Sequence, residues 1–165
     1  MKKVLLIIMA MFAIGFQNVR AQDAPLKIVT NHPDFKIKIK RCAASGNTVI
    51  IDLILSNEGV DDVEEMILWA CTTMEAIVTY DDQGNMYKCG SNLVKVANSK
   101  EFSDHDSGTF QLLSGVPIQL SIRIDGVSLS AEQIARISLP FNCQNWGLTS
   151  NKPVKINNIP IIRNY

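Results

Sequence analysis

Residues 118–125 alternate strictly between apolar and polar side chains and read Ile-Gln-Leu-Ser-Ile-Arg-Ile-Asp. Because successive side chains of a β-strand point to opposite faces, this pattern predicts a strand with one buried and one solvated face. Similar segments recur along the chain and are separated by turns. A βαβ arrangement would need long amphipathic helices between its strands, so the chain is expected to form antiparallel sheets.

Two hairpins are predicted in the first half of the chain. Residues 35–41 and 48–56 flank a turn at residues 45–47, and both faces of the second segment carry apolar side chains, which is typical of a central strand. A second reversal is predicted at residues 81–85, since Gly84 and Asn85 tolerate a positive φ. With the later segments, among them residues 109–113 after a long polar loop, this gives seven or eight short strands, which favour an all-β fold of two packed antiparallel sheets.

Two stretches depart from the strand pattern. In residues 59–71, four apolar residues recur at helical spacing behind Asp61 and Asp62, which are suitable N-caps, but residues 66–69 fit a strand equally well. Residues 130–133 read Ser-Ala-Glu-Gln and fit a capping box. We therefore expect one or two short helical insertions, and the choice between helix and strand in residues 59–71 stays open.

The N-terminus has the pattern of a secretory signal peptide. Two lysines precede the apolar residues 4–16, and Val19 and Ala21 place small residues at the positions that define cleavage. We expect a signal peptide over residues 1–21, an irregular N-terminal arm over residues 22–33 and a single domain over residues 34–165. The apolar run is shorter than the roughly 20 residues that span a bilayer, so we expect a periplasmic or secreted protein with no membrane span.

The balance of charges bears on the class of partner. The chain has 16 basic and 16 acidic residues, and loss of residues 1–21 would remove three basic ones and leave a mildly acidic domain. The densest basic run, at residues 36–41, alternates with apolar residues, so its charges are expected on the solvated face of a strand. Binding of nucleic acid needs a concentrated basic patch. Nucleic acid is therefore not an expected partner.

The order of strand ends and turns carries a family resemblance. The segments are Phe-Lys-Ile-Lys-Ile at 35–39, Gly-Asn-Thr-Val at 46–49, Leu-Ser-Asn-Glu-Gly at 55–59, Asp-Gln-Gly-Asn at 82–85 and Ser-Gly-Val-Pro at 114–117. This order resembles small exported immunoglobulin-like β-sandwich domains of unknown function from Gram-negative bacteria, over roughly residues 34–163. The resemblance implies a two-sheet immunoglobulin-like β-sandwich, and this family brings no catalytic residues.

Four cysteines follow the signal-peptide pattern: Cys42, Cys71, Cys89 and Cys143. An even number of cysteines in an exported chain predicts disulfides, and four cysteines permit three pairings. We favour Cys71 with Cys89, which flank one predicted hairpin, and Cys42 with Cys143, although the sequence does not decide between the pairings. A zinc site is disfavoured because its cysteines are normally separated by only two to four residues.

Residues 101–108 form the most notable polar stretch. Asp104, Asp106 and the flexible Gly108 resemble the first half of a calcium loop, but the distal glutamate is missing. A solvated loop is the main expectation, and calcium bound by Asp104 and Asp106 is the alternative. With His105, the same two aspartates are also a candidate centre for a metal-dependent hydrolase. The G-x-S-x-G motif and phosphate-binding loops are absent from the sequence.

No residue set in the chain dictates a chemistry, and no cofactor is expected. The favoured function is therefore a non-enzymatic exported domain that binds a protein or glycan partner through loops or an exposed sheet edge. The alternatives are a small metal-dependent hydrolase and a structural subunit or inhibitor. Trp69 and Trp146 would stack on sugars if exposed, but packing roles are favoured because nothing in their spacing marks a platform. The ligand-binding residues and the oligomeric state stay undefined.

Overall fold

The computed structural model describes residues 24–72, 75–103 and 106–163. The predicted signal peptide, residues 1–21, lies outside the described residues. Strands account for most of the described backbone, and a single 3-10 turn is found among the described residues. The strands are β1 (Lys27–Val29), β2 (Phe35–Ser45), β3 (Thr48–Asn57), β4 (Val63–Trp69), β5 (Val78–Asp81), β6 (Met86–Tyr87), β7 (Asn92–Val96), β8 (Ser107–Leu112), β9 (Ile118–Ile124), β10 (Gln133–Leu139), β11 (Phe141–Asn142), β12 (Val154–Pro160) and β13 (Ile162–Arg163), and the 3-10 turn is Gln144–Trp146.

These strands form three sheets. Sheet I has the order β1-β12-β10-β5-β6, sheet II has the order β13-β2-β3-β9-β7, and sheet III has the order β11-β4-β8. Neighbouring strands are antiparallel except for β13 and β2, which are parallel. The all-β class and the antiparallel sheets predicted from the sequence are therefore confirmed.

Strand β3 occupies the centre of sheet II, between β2 and β9, as its two apolar faces predicted. Its inward side chains Val49, Ile51, Leu53 and Leu55 are completely buried, whereas Ile50 and Ile54 on the other face are half-buried. Buried side chains of all three sheets join these residues in one contiguous core. This core holds the sheets against one another, because burial of apolar surface is the main favourable term in folding.

Residues 59–71 contain a strand, so the helical alternative for this stretch is wrong. Strand β4 pairs with β8 and β11, and its register shifts between Val63 and Met66. This bulge leaves both Glu64 and Glu65 exposed between buried neighbours. Because a bulge adds one residue to a strand, the apolar positions acquire a spacing that imitates a helical period.

The second predicted helical insertion, at residues 130–133, is also wrong. The Ser130 hydroxyl lies 2.8 Å from that of Ser128, and the backbone N–H of Ala131 donates to the Ser128 carbonyl at 3.1 Å. These bonds form a turn that leads into β10, which begins at Gln133. The described residues contain no α-helix, and no described helix is long and apolar enough to cross a membrane.

The segment expected to be an irregular arm contains strand β1. This strand pairs with β12, so that Ile28 lies opposite Ile156. The hairpin predicted at residues 81–85 is present between β5 and β6, and Gly84 in its turn has a φ of 84°. In this turn the Asp81 carboxylate accepts hydrogen bonds from the backbone N–H groups of Gln83 and Asn85 and from the Tyr87 hydroxyl.

Candidate functional site

A groove with a volume of about 530 Å³ lies beside strand β8. It is lined by residues 96–102, from the end of β7 into the following loop, by residues 106–111 of β8 and its approach, and by Ile118 at the start of β9. Phe102 is buried, and Phe110 and Ile118 are half-buried, so the groove has an apolar floor. An apolar concavity with polar groups at its border is the usual form of a binding site.

Strand β8 lies at an edge of sheet III and pairs with β4 alone among the described strands. Hydrogen bonds at one end of β4 show which backbone groups face β8. The N–H of Trp69 donates to the Pro140 carbonyl on the β11 side, at 3.3 Å, and the N–H of Ala70 donates to the Asp106 carbonyl on the β8 side, at 3.2 Å. Backbone groups of successive residues therefore alternate between the two neighbours of β4.

This alternation leaves part of the β8 backbone free. In an antiparallel ladder the N–H and C=O of one residue point to the same side. Leu68 and Met66 precede Ala70 at intervals of two residues, so their backbone groups also face β8, where they lie opposite Gly108 and Phe110. The backbone groups of Thr109 and Gln111 then point away from β4. Within the described part of the chain, these groups have no backbone partner outside the strand ladder. They form an open edge to which a further strand can bond.

A glycine sets the shape of the groove floor. The ring of Phe102 packs so closely on Gly108 that a Cβ built at position 108 would lie 2.5 Å from its Cε1 and Cζ atoms. Gly108, which the sequence suggested as the flexible residue of a calcium loop, is thus a strand residue that allows close packing. The Phe102 backbone is fixed by two hydrogen bonds of 2.9 Å with Val94 of β7.

The solvent face of sheet III next to this edge is acidic. Glu64 and Glu65 are both exposed because of the bulge in β4. The Gln111 side-chain amide donates to the Glu64 carboxylate at 2.8 Å. The carboxylates of Glu64 and Glu65 therefore border the open edge on its solvent side.

The calcium prediction concerns the loop that leads into the groove. Asp104 and His105 lie outside the described residues, so their part in a calcium site or a metal-dependent hydrolase stays a prediction. Asp106 is exposed, and its Oδ1 accepts a hydrogen bond of 2.8 Å from the Ser107 N–H. In the described ranges, no three histidine, cysteine or acidic side chains are grouped as metal ligands.

Cys71 and Cys89 form a disulfide, which confirms the first favoured pairing. Their Cα atoms are 5.3 Å apart, and the bond joins the segment after β4 in sheet III to the segment after β6 in sheet I. It therefore encloses the β5–β6 hairpin, as the positions of the two cysteines suggested.

The second favoured pairing, Cys42 with Cys143, is wrong, because both cysteines are free and buried. Cys42 lies seven residues along β2 from Phe35, which corresponds to about 23 Å of strand. Cys143 lies two residues after Phe141, whose ring centroid is 5.2 Å from that of Phe35. Cys143 therefore lies near the start of β2, and Cys42 lies toward its other end. Each packs in the core as a small apolar side chain.

The Trp146 ring has a packing role, as favoured from the sequence. It stacks on His32 with ring centroids 4.5 Å apart and an interplanar angle of 7°, and it also contacts Phe35. Trp69 is half-buried at the end of β4. The His32 ring covers one face of Trp146 and makes that face unavailable to a sugar.

Sequence reasoning missed the open edge of β8. It identified a strand beginning near Thr109 after a long polar loop, but it did not place that strand at a sheet edge. The one sequence signal for an edge position is that this short strand follows a long polar loop. The chain matches no protein-family model, and no curated protein matches it.

Proposed function

We propose that this protein is an exported, non-enzymatic, immunoglobulin-like β-sandwich module that binds an extended segment of a partner protein at the free edge of β8. The observation that carries the proposal is the outward direction of the Thr109 and Gln111 backbone groups beside an apolar groove. In strand addition, main-chain hydrogen bonds supply affinity and pockets for alternate side chains supply specificity.

The sandwich architecture is supported by the single core that the sheets share. Sheets that pack face to face bury one side of each strand and expose the other, as β9 illustrates with Leu120, Ile122 and Ile124 buried and Arg123 exposed. The exported location is supported by the signal-peptide pattern and by the Cys71–Cys89 disulfide, since disulfides persist in oxidising compartments. The periplasm and the extracellular space are both compatible with these features.

The two faces beside β8 define the chemistry of the partner segment. A strand added to this edge directs alternate side chains toward Phe102, Phe110 and Ile118, and apolar side chains fit there. The remaining side chains lie on the solvent face near Glu64 and Glu65, where basic side chains are favoured by charge complementarity. The expected partner segment is therefore extended, with alternating apolar and basic residues.

A proline at position 109 tests this function. The Thr109 N–H points away from β4, so Thr109→Pro removes an edge donor without breaking the β4–β8 ladder, and proline is tolerated at such edge positions. Thr109→Val keeps the donor and is the matched control. Binding of a fluorescein-labelled peptide with four Lys-Val repeats is measured by fluorescence anisotropy, and melting temperatures verify that both variants fold.

The proposal expects the peptide to bind the unmodified domain. Thr109→Pro should weaken this binding by about tenfold or more, which corresponds to about 1.4 kcal/mol, and Thr109→Val should change it by less than about threefold. A peptide with the same composition but four lysines followed by four valines should bind weakly. Absence of binding, or equal binding by the proline and valine variants, would overturn the proposal.

A further inference from the structure

A bulge in β2 places two consecutive basic side chains on the same face of sheet II. The register between β2 and β3 shifts between Ile39 and Arg41. Lys40 donates from Nζ to Gln119 Oε1 at 3.1 Å, and Arg41 donates from Nε to Asp52 Oδ2 at 2.8 Å. Both acceptors lie on the outer face of the sheet, so Lys40 and Arg41 continue the row begun by the preceding lysines of β2.

Neighbouring strands extend this row into a surface, which we call the basic face. Lys95 of β7 lies opposite Ser121, and Arg123 of β9 lies opposite Ile50. The basic face thus comprises Lys36, Lys38, Lys40, Arg41, Lys95 and Arg123.

Carboxylates on the basic face neutralise only part of its charge. Arg41 Nη2 lies 2.8 Å from Asp52, Arg123 Nη2 lies 3.1 Å from Asp125, and Lys36 Nζ lies 3.8 Å from Glu58. The other three cations, Lys38, Lys40 and Lys95, make no ion pair with a described residue. Acidic residues outnumber basic ones over the rest of the described surface, so positive charge is concentrated on one face of an acidic domain.

The centre of the basic face contains a fixed polar network, which lies between the half-buried side chains of Ile50 and Ile54 on β3. The Gln119 amide donates from Nε2 to Ser121 Oγ at 3.1 Å, and this hydroxyl donates to Asp52 Oδ1 at 2.6 Å. None of the exposed large apolar side chains of the described residues lies on β2, β3, β7 or β9. The cations therefore surround amide and hydroxyl groups, and none of the apolar side chains among them is exposed.

This composition favours one class of partner over a folded protein or a membrane. Protein interfaces are depleted in lysine and have an apolar centre, and stable membrane binding draws on buried apolar area as well as charge. An acidic polysaccharide has anionic groups for the lysines and hydroxyl groups for Gln119 and Ser121. The face spans three strand spacings from β2 to β7, which is about 14 Å, so it can contact several charged groups of a polymer.

We propose that the basic face of sheet II binds an acidic polysaccharide, with Lys38, Lys40 and Lys95 pairing with its carboxylate or sulfate groups. This site is separate from the β8 edge and does not depend on strand addition there. Because the contacts are solvent-exposed charge pairs, affinity should fall steeply with salt.

The test compares two triple variants of equal net charge. In one, Lys38, Lys40 and Lys95 are replaced by Gln, and in the other Lys88, Lys152 and Lys155, which are exposed elsewhere, are replaced by Gln. Binding of polygalacturonate and of heparin is measured by calorimetry at low and at moderate ionic strength. Neutral dextran, poly-L-glutamate and phosphatidylglycerol vesicles are the comparison probes, and thermal unfolding checks that every variant folds.

At least one of the two acidic polysaccharides should bind the unmodified domain, and neutral dextran should not. The basic-face variant should lose about tenfold or more in affinity, and the control variant should lose less than about threefold. Equal losses in the two variants would show attraction to net charge alone and would overturn the site. Tighter binding of poly-L-glutamate or of the vesicles would overturn the assigned partner. Thr109→Pro should leave polysaccharide binding unchanged, which separates this inference from the proposed function.

Discussion

Gly108 and Phe102 are matched in shape at the floor of the groove. A Cβ at position 108 would lie 2.5 Å from two atoms of the Phe102 ring, far closer than carbon atoms normally approach. β8 therefore reaches its present distance from the segment after β7 because residue 108 has no side chain.

Gly108→Ala should force the Phe102 ring into the groove. We expect a loss of about 1 kcal/mol in the free energy of unfolding, together with weaker peptide binding at the β8 edge. In a Phe102→Ala background the obstruction is gone, so adding Gly108→Ala should cost nothing or be slightly stabilising, since alanine restricts the unfolded chain. Urea denaturation of the four proteins gives the coupling. Additive effects would contradict the packing relationship.

Loss of the Cys71–Cys89 disulfide should destabilise the domain. The two cysteines are 18 positions apart, and closing a loop of that size contributes about 3 kcal/mol in the chain-entropy model. The Cys71→Ser/Cys89→Ser variant and the reduced unmodified protein should both show this loss in urea denaturation. Dithiothreitol should have no effect on the double variant, which serves as the control. An unchanged urea midpoint after complete reduction would refute this prediction.

Cys42 and Cys143 should be unreactive in the folded protein. Burial raises the pKa of the Cys42 thiol to about 12, against a smaller opposite effect of Arg163, and only the thiolate is nucleophilic. Intact mass should therefore show no adduct after iodoacetamide treatment at pH 8 and two adducts after treatment in denaturant without reductant. A folded protein that is readily alkylated, or a denatured one that takes up no label, would be inconsistent with two buried free thiols.

Asp81 should make stability depend on pH in the acid range. Burial raises the pKa of Asp81, but hydrogen bonds from Asn85, Tyr87 and Gln83 outweigh burial and hold this pKa below its ordinary value. The folded state therefore favours the ionised form, and its contribution is fully present above about pH 4 to 5 and is lost as the pH falls through the folded-state pKa.

Asp81→Asn should lower the free energy of unfolding at neutral pH by about 1 to 2 kcal/mol. It should also make the decline in stability below about pH 4 less steep. Asp61→Asn, at an exposed carboxylate, is the control and should change neither property. Urea denaturation at a series of pH values measures both effects, and parallel stability profiles for Asp81→Asn and the unmodified protein would argue against this role.

The sequence predicts the regular parts of the sheets because burial imposes a period of two. Strands β3 and β9 have buried and outward side chains in alternation, and their type and position were predicted correctly. The bulges between Val63 and Met66 and between Ile39 and Arg41 insert residues that break this period. The first of them made a strand resemble a helix.

The candidate sites depend on which strands become neighbours, and no local pattern encodes that choice. The run Thr109 to Leu113 indicated a strand, but its free edge exists only because β8 pairs with β4 on one side and with no described strand on the other. The basic run of β2 was predicted to face solvent, whereas the contribution of Lys95 requires the pairing of β9 with β7. The Cys42–Cys143 prediction was wrong for the same reason. The number of cysteines in a chain does not tell how far apart any two of them lie in the fold.

The parallel pairing of β13 with β2 affects the order in which the domain is completed during folding. Ile162 lies beside Ala43, and Arg163 donates hydrogen bonds to the carbonyls of Gly46, Ser128 and Ala131. In sheet I, β1 likewise pairs with β12, which comes more than 120 residues later in the chain. Such long-range pairings are formed slowly. The chain must therefore be present almost as far as β13 before either five-stranded sheet has all its members, and until then each sheet exposes a backbone edge that a later strand covers.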